Sequence, residues 1–221
     1  MRLLPYGAVM NQKKILRLMH KYGLQCPIRK AKPYRQMAKA IKTSNYANNI
    51  LERNFEEFVP RMVLLTNITY IPYNGTFAYL STILDAYTKE VLSYVLSDSL
   101  ELYFVLETIN THGKELKSDT LIHSDQGCHY TSYKFIELTE NSGLRRSMSR
   151  RGNWWDNAPQ ESFFGYMKDE IENKIRFSKH YEEIKLIIDD WIDYYNNDRF
   201  VWKLNKMSPT EFYQYINSIN S

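Results

Sequence analysis

The sequence predicts an α/β protein: a mixed five-stranded sheet with flanking helices, preceded by a small basic helical arm. Three observations lead there. After Pro60 the chain changes from basic and polar stretches to apolar, β-branched runs. Three such runs follow one another across turn-forming links, and shorter ones then alternate with helical patterns, an order that builds a mixed sheet covered by helices. The charge is also divided, since residues 1–56 hold 12 Lys/Arg against only Glu52 and Glu56, whereas residues 57–221 hold 17 Lys/Arg against 23 Asp/Glu. The expected division is a basic helical and linker arm over 1–56, an α/β body over 57–215 and a tail over 216–221.

Composition narrows the class. With 221 residues, 43% hydrophobic and 24% charged, the chain can bury a core without disulfides or metals. No apolar run reaches membrane-spanning length, and Met1-Arg-Leu-Leu-Pro-Tyr-Gly lacks the pattern of a secretory signal, so no membrane association and a cytoplasmic location are expected. Cys26 and Cys128 stand alone, which indicates neither a zinc site nor a disulfide framework.

Taken in order, the arm holds one helix over 11–22, with Asn11 as cap, Ile15, Leu16, Leu18 and Met19 as apolar face and Gly23 as terminator. Residues 27–49 are rich in Lys/Arg, free of acids and poor in large aliphatics, which predicts an extended linker that orders on a partner. Tyr34 and Tyr46 read as linker aromatics. Runs at 62–70, 76–85 and 90–97, joined by Pro72-Tyr73-Asn74-Gly75 and Tyr87-Thr88-Lys89, predict an antiparallel meander. A helix over 100–111, a buried strand over 120–124, a helix over 133–141 and a strand over 144–147 follow. Helical patterns at 159–173 and 180–197 come last. This order is that of a ribonuclease H-like sheet.

Acids at strand ends and on an adjoining helix are how such a sheet holds divalent cations. Asp125 ends the fourth strand, with Gly127 allowing a sharp turn beneath it. Glu161 lies in the first turn of a helix opened by Pro159, where the helix dipole favours its ionised form, and 35 residues separate the two acids. A basic arm on an acidic body suits a polyanionic partner, because neutralised phosphates release counterions; a solvated basic helix is the competing reading.

Several stretches together resemble the integrase-like transposases of bacterial insertion sequences, in the group that splits its transposase over two reading frames. They are Thr66-Asn67-Ile68-Thr69-Tyr70-Ile71-Pro72, His123-Ser124-Asp125-Gln126-Gly127 and Ser147-Met148-Ser149-Arg150-Arg151-Gly152-Asn153. Trp155-Asp156-Asn157-Ala158-Pro159, Glu161-Ser162-Phe163-Phe164-Gly165, Tyr194-Tyr195-Asn196, Arg199 and Met207-Ser208-Pro209 complete the set. The resemblance runs from about Tyr6 to near the end of the chain. It implies a ribonuclease H-like core of the retroviral-integrase type, with an Asp-Asp-Glu triad that binds two Mg²⁺ (Mn²⁺ as substitute). The implied chemistry is in-line attack by a water, then a 3′-hydroxyl, on a backbone phosphorus. It further implies double-stranded DNA partners (terminal repeats and target), a homo-oligomer on DNA, nucleoid association in a bacterial cytoplasm, and an upstream frame with a helix-turn-helix.

Asp125 and Glu161 fall on the second and third triad positions and would be the metal ligands. Lys168 falls on a basic position of the family, two helical turns beyond Glu161 and so on the same face. One departure outweighs the matches: the first catalytic position is Asn67. An amide offers a carbonyl oxygen but no charge to offset the repulsion between two dications, so one metal bound weakly, or none, is expected. Two ions are expected only once the aspartate is restored. Asn67 thus marks an aspartate deliberately replaced or lost by decay, and the chain as written is expected to be inactive. Asp85 is expected to be structural rather than a replacement ligand, and His129 polar surface. Cys128-His129 and Trp154 are smaller departures from the family pattern.

The loop from Ser149 to Asn157 carries Arg150, Arg151 and Asn153, expected to touch DNA. Trp155 either stacks on a strand end or anchors the loop in the core. In the arm, Lys13, Lys14, Arg17, Arg29, Lys30, Lys32 and Arg35 are expected to contact backbone phosphates. Trp191, Tyr194, Tyr195, Phe200 and Trp202 read as core and interface packing. Two rivals stand beside a strand-transferring enzyme: a catalytically dead DNA-binding or inhibitory remnant, favoured by Asn67, and a cellular nuclease of the same fold.

Overall fold

A computed structural model describes residues 11–23, 45–55, 59–111 and 119–220. The first described element is α1 (Gln12–Lys21), whose Asn11 side chain accepts from the Lys13 amide at 2.9 Å, as a cap should. The meander consists of β1 (Val63–Tyr73), β2 (Thr76–Asp85) and β3 (Val91–Ser97). Then come α2 (Leu102–Asn110), β4 (Leu121–Ser124), α3 (Tyr133–Asn141) and β5 (Arg145–Met148). A short 3₁₀ turn over Trp154–Asn157 leads into α4 (Ala158–Phe177), followed by α5 (Tyr181–Asn197) and α6 (Pro209–Asn220).

The five strands form one sheet in the order β3-β2-β1-β4-β5, antiparallel through the meander and parallel from β1 to β5. The mixed five-stranded sheet expected from the sequence is therefore present. Strand β1 runs three residues further than expected because the turn is only Asn74-Gly75, at φ +40° and +76°, and Pro72 still pairs with Phe77. A two-residue turn with both residues left-handed matches the twist of the strands it joins.

Alternation along β1 divides the core. Leu65 and Ile71 face Phe163, Phe164, Met167, Ile188 and Trp191 of α4 and α5. Leu64 faces Phe104, Val105 and Phe135 of α2 and α3. Burial of Ile171 and Ile175 carries α4 one turn beyond the expected end at 173.

Two expected boundaries are corrected. Residues 45–55 belong to the body, not to the linker or the 1–56 arm: Leu51 is fully buried in the core beneath α4 and α5. The Ile50 and Leu51 amides both donate to Ser147 Oγ on β5. Residues 216–220 likewise do not form a separate tail, since α6 runs unbroken from 209 to 220. It is docked by Phe212 stacked on Tyr87 and by Tyr213 beneath the Arg61 guanidinium. The helix starts with a reciprocal cap, Ser208 N–H to Glu211 and Glu211 N–H to Ser208 Oγ.

Candidate active site

The parallel pairing of β1 with β4 aligns Val63 with Leu121, Leu64 with Ile122 and Leu65 with His123. The pairing ends there; Asn67 lies two residues further along β1, and Asp125 two residues further along the chain, just past the end of β4. Asn67 is only 8% exposed, and its Oδ1 accepts from the Ile68 amide at 2.8 Å. On its other side Asn67 pairs with Thr82 of β2. The buried Gln160 side chain donates to Thr82 Oγ1, which fixes the first turn of α4 at this same level of the sheet. Glu161 follows directly, half-buried, in the first turn where the helix dipole favours a carboxylate.

The turn after β4 is built around Asp125. Its Oδ1 accepts from the Gly127 amide at 2.8 Å, and a Cβ on residue 127 would lie 2.8 Å from that same oxygen. Only glycine permits so close an approach. Behind it Tyr130 is fully buried, its hydroxyl 3.4 Å from Thr66 Oγ1. Burial first, and the Asp125 charge second, hold that phenol well above its ordinary range.

Among the described residues no three His, Cys, Asp or Glu side chains gather into a metal cage. Asp85 is engaged away from Asn67. It pairs with Leu64, three residues along β1 from Asn67 and so about 10 Å away. Fully buried, it is occupied by the Arg61 and Tyr87 amides, the Thr88 hydroxyl at 2.9 Å and the Arg61 guanidinium at 3.7 Å. His129 is likewise engaged, its Nε2 3.0 Å from the Leu100 carbonyl. Lys168 lies half-buried two turns along α4.

The loop before α4 is organised by a residue that sequence reasoning passed over. Asp156 is fully buried and accepts five hydrogen bonds. Arg150 gives three of them, from its amide, Nε and a terminal nitrogen, each at 3.0 Å. Arg53 Nε gives one at 2.8 Å and Asn49 Nδ2 one at 3.0 Å. The Arg150 guanidinium foremost, with Arg53 adding to it, holds the Asp156 carboxyl far below the usual range. Arg150 is thus a loop-organising residue with an exposed edge rather than a free arm. Asp156 lay in plain sight between Trp155 and Asn157, but nothing local to it signals an arginine 103 residues upstream.

His123, also missed, is fully buried between Ser147 Oγ at 2.9 Å and Ser149 Oγ at 3.0 Å. Because Ser147 Oγ already accepts two amides, its own proton goes to Nδ1, leaving Nε2–H to donate to Ser149. Burial lowers this imidazole to about 4, with Asp156 opposing the shift.

Trp155 is 54% exposed, so it does not anchor the loop in the core. Arg151 is exposed and Asn153 half-buried. Trp191 and Tyr195 stack in the core as expected, whereas Trp202 is 67% exposed. On α1, Lys13, Lys14 and Arg17 are exposed and line one shallow hollow with Asn11. Arg29, Lys30, Lys32 and Arg35 lie outside the described residues.

Comparison with known proteins bears on the fold and the family. Two family models, each described as an integrase core domain, match residues 59–154 and 142–209. The InsK protein of insertion sequence element IS150 from Escherichia coli is 34% identical, over 93% of this chain and 72% of that one. The transposase for insertion sequence element IS904 of Lactococcus lactis is 32% identical, over 95% of this chain and 83% of that one. Among solved structures, the simian T-cell lymphotropic virus intasome matches with a TM-score of 0.58 at 14% identity, covering 96% of this chain and 69% of that one. The HTLV-2 integrase catalytic core in complex with magnesium matches with a TM-score of 0.55 at 12% identity, over 71% and 98%. The sheet is accordingly the ribonuclease H-like one, and the chain belongs to the integrase-type transposases of bacterial insertion sequences.

Proposed function

We propose that this fold serves metal-dependent cleavage and joining of insertion-sequence ends, and that the chain with Asn67 is inactive in that reaction. What supports this reading is the β1–β4 register, which continued by two residues would bring Asn67 alongside Asp125, while the Gln160–Thr82 hydrogen bond ties the first turn of α4, with Glu161, to the strand that pairs with Asn67. Mg²⁺ or Mn²⁺, when bound, would activate the attacking oxygen and stabilise the leaving one. Two carboxylates and a neutral amide fit one hard dication weakly and do not fit two. Asp125 and Glu161 would hold the ion, the Gly127 amide fixing the orientation of Asp125. Lys168, Arg151 and Asn153 would hold the DNA strand near the acids. Lys13, Lys14 and Arg17, with Arg29, Lys30, Lys32 and Arg35, would contact duplex phosphates further out. The working form would be a homo-oligomer on terminal repeats and target DNA in a bacterial cytoplasm. Among the described residues no helix is long and apolar enough to cross a membrane.

Asn67 also favours a second reading, a DNA-binding remnant that occupies element ends or poisons an active multimer. A strand-joining assay on end-sequence duplexes in Mn²⁺ separates the two. The Asn67→Asp variant should join strands, and adding Asp125→Asn or Glu161→Gln to it should abolish joining. Binding of ends with no joining by Asn67→Asp would favour the remnant.

A further inference from the structure

Asp156 does more than close a loop. We infer that Arg53 and Arg150, both seated on the Asp156 carboxylate, form a two-arginine clamp for a DNA backbone phosphate at the loop that leads into α4. The inference rests on the DNA-processing reading above but concerns binding alone.

The carboxylate lies fully buried beneath the pair, while the Arg53 and Arg150 side chains are 45% and 59% exposed. Each guanidinium is therefore held at one edge by a side chain that stays about half exposed. Arg53 reaches Asp156 through Nε alone, which leaves its two terminal nitrogens outside that bond. A planar guanidinium offers five N–H donors, and phosphate oxygens suit such forks. The Asp156 carboxylate beneath the pair and the exposed Glu52 carboxylate near Arg150 balance the two positive charges, so what the pair offers a phosphate is guanidinium donors that are already oriented.

The backbone is bent to achieve this. Glu52 and Arg53 stand consecutively at φ +45° and +72°, a left-handed conformation that costs a non-glycine residue. Asn49 braces that turn, accepting the Glu52 amide through Oδ1 while its Nδ2 donates to Asp156. The turn brings Arg53 back to the carboxylate that Arg150 already holds. The position is also apt. Residues 45–55 follow the basic stretch directly in sequence, and Arg150 lies in the loop that leads into α4, whose first turn holds Glu161. Exposed Arg151 and Trp155 flank it.

Duplex affinity of the full chain, measured without divalent metal over a range of salt, tests the clamp. Arg53→Ala and Arg150→Ala should each weaken binding about five- to tenfold at moderate salt and lower the salt slope by about one, the loss of one phosphate contact. Since both hold the same phosphate, the double variant should lose little more than either single one. Asp156→Asn removes a negative charge, which by simple electrostatics tightens DNA binding; the clamp requires that it weaken binding instead. Thermal melting establishes that each variant is folded. Arg53→Lys, which keeps the charge but not the fork, provides a milder variant and should still weaken binding. Unchanged affinity and slope in folded Arg53→Ala, or full additivity in the double variant, would overturn the clamp while leaving the proposed reaction intact. Loss of binding in these variants, with no joining by Asn67→Asp, would sink the reaction and leave the clamp standing.

Discussion

Restoring aspartate at position 67 should destabilise the metal-free protein, and the size of the effect follows from the sheet. Neighbouring strands lie about 4.8 Å apart, so carboxylates at Asn67→Asp and Asp125 would sit roughly 5 Å from each other. At an effective dielectric of about 20 their repulsion is about 3 kcal/mol, which screening at the half-exposed Asp125 reduces to about 2. Glu161 adds to the repulsion. Side-chain volume hardly changes, and the oxygen that accepts from the Ile68 amide is kept, so charge dominates. For a chain of this size, about 2 kcal/mol corresponds to a fall in Tm of roughly 4–8 °C. Mg²⁺ at about a hundred times its Kd would restore roughly 2.7 kcal/mol. Thermal melting of both proteins with and without Mg²⁺ checks this. A metal-free Tm unchanged by Asn67→Asp, together with equal Mg²⁺ responses, would refute the adjacency of residue 67 to Asp125.

Three further outcomes follow from particular contacts. Deleting residues 1–44 should weaken duplex binding and flatten its salt dependence without unfolding the body, whereas extending the deletion through Leu51 should also lower Tm, because that side chain is fully buried. Gly127→Ala places a methyl group 2.8 Å from Asp125 Oδ1 and should therefore blunt the Mg²⁺ response of Asn67→Asp in the same melting assay. Asp156 has its carboxyl lowered in the folded state, so the unfolded chain binds more protons in the acid range. Its stabilising contribution is complete above the unfolded value near 3.8 and is lost as pH falls below it; Asp156→Asn should flatten the acid limb of a stability-versus-pH curve there.

Much of the body was legible because its signals are local. The Asn74-Gly75 turn between two β-branched runs specifies a hairpin, and Asp125 before a glycine and Glu161 behind Pro159 mark a strand end and a helix start. Asn67 is different: periodicity makes it only a polar residue in a strand, and resemblance alone singled it out. Helix α6 was legible and overlooked, since Ser208-Pro209-Thr210-Glu211 is a capping box with proline just inside it. The body's true start was not legible. Ile50 and Leu51 are two aliphatic residues in a mostly polar stretch, and nothing local signals that Leu51 is buried in the core or that its amide donates to Ser147, 96 residues away. The same holds for Asp156, whose role is written in Asn49, Arg53 and Arg150 jointly and in none of them singly.

The central claim is that Asn67 stands where the reaction needs a third carboxylate. The most direct measurement is the single-turnover cleavage rate of end-sequence DNA in Mg²⁺, for the chain as written and for Asn67→Asp, at matched folding and DNA occupancy. The account expects no cleavage above background from the former and a rate at least about a thousandfold higher from the latter, equivalent to roughly 4 kcal/mol of transition-state stabilisation. Equal, metal-dependent cleavage by both proteins would contradict it.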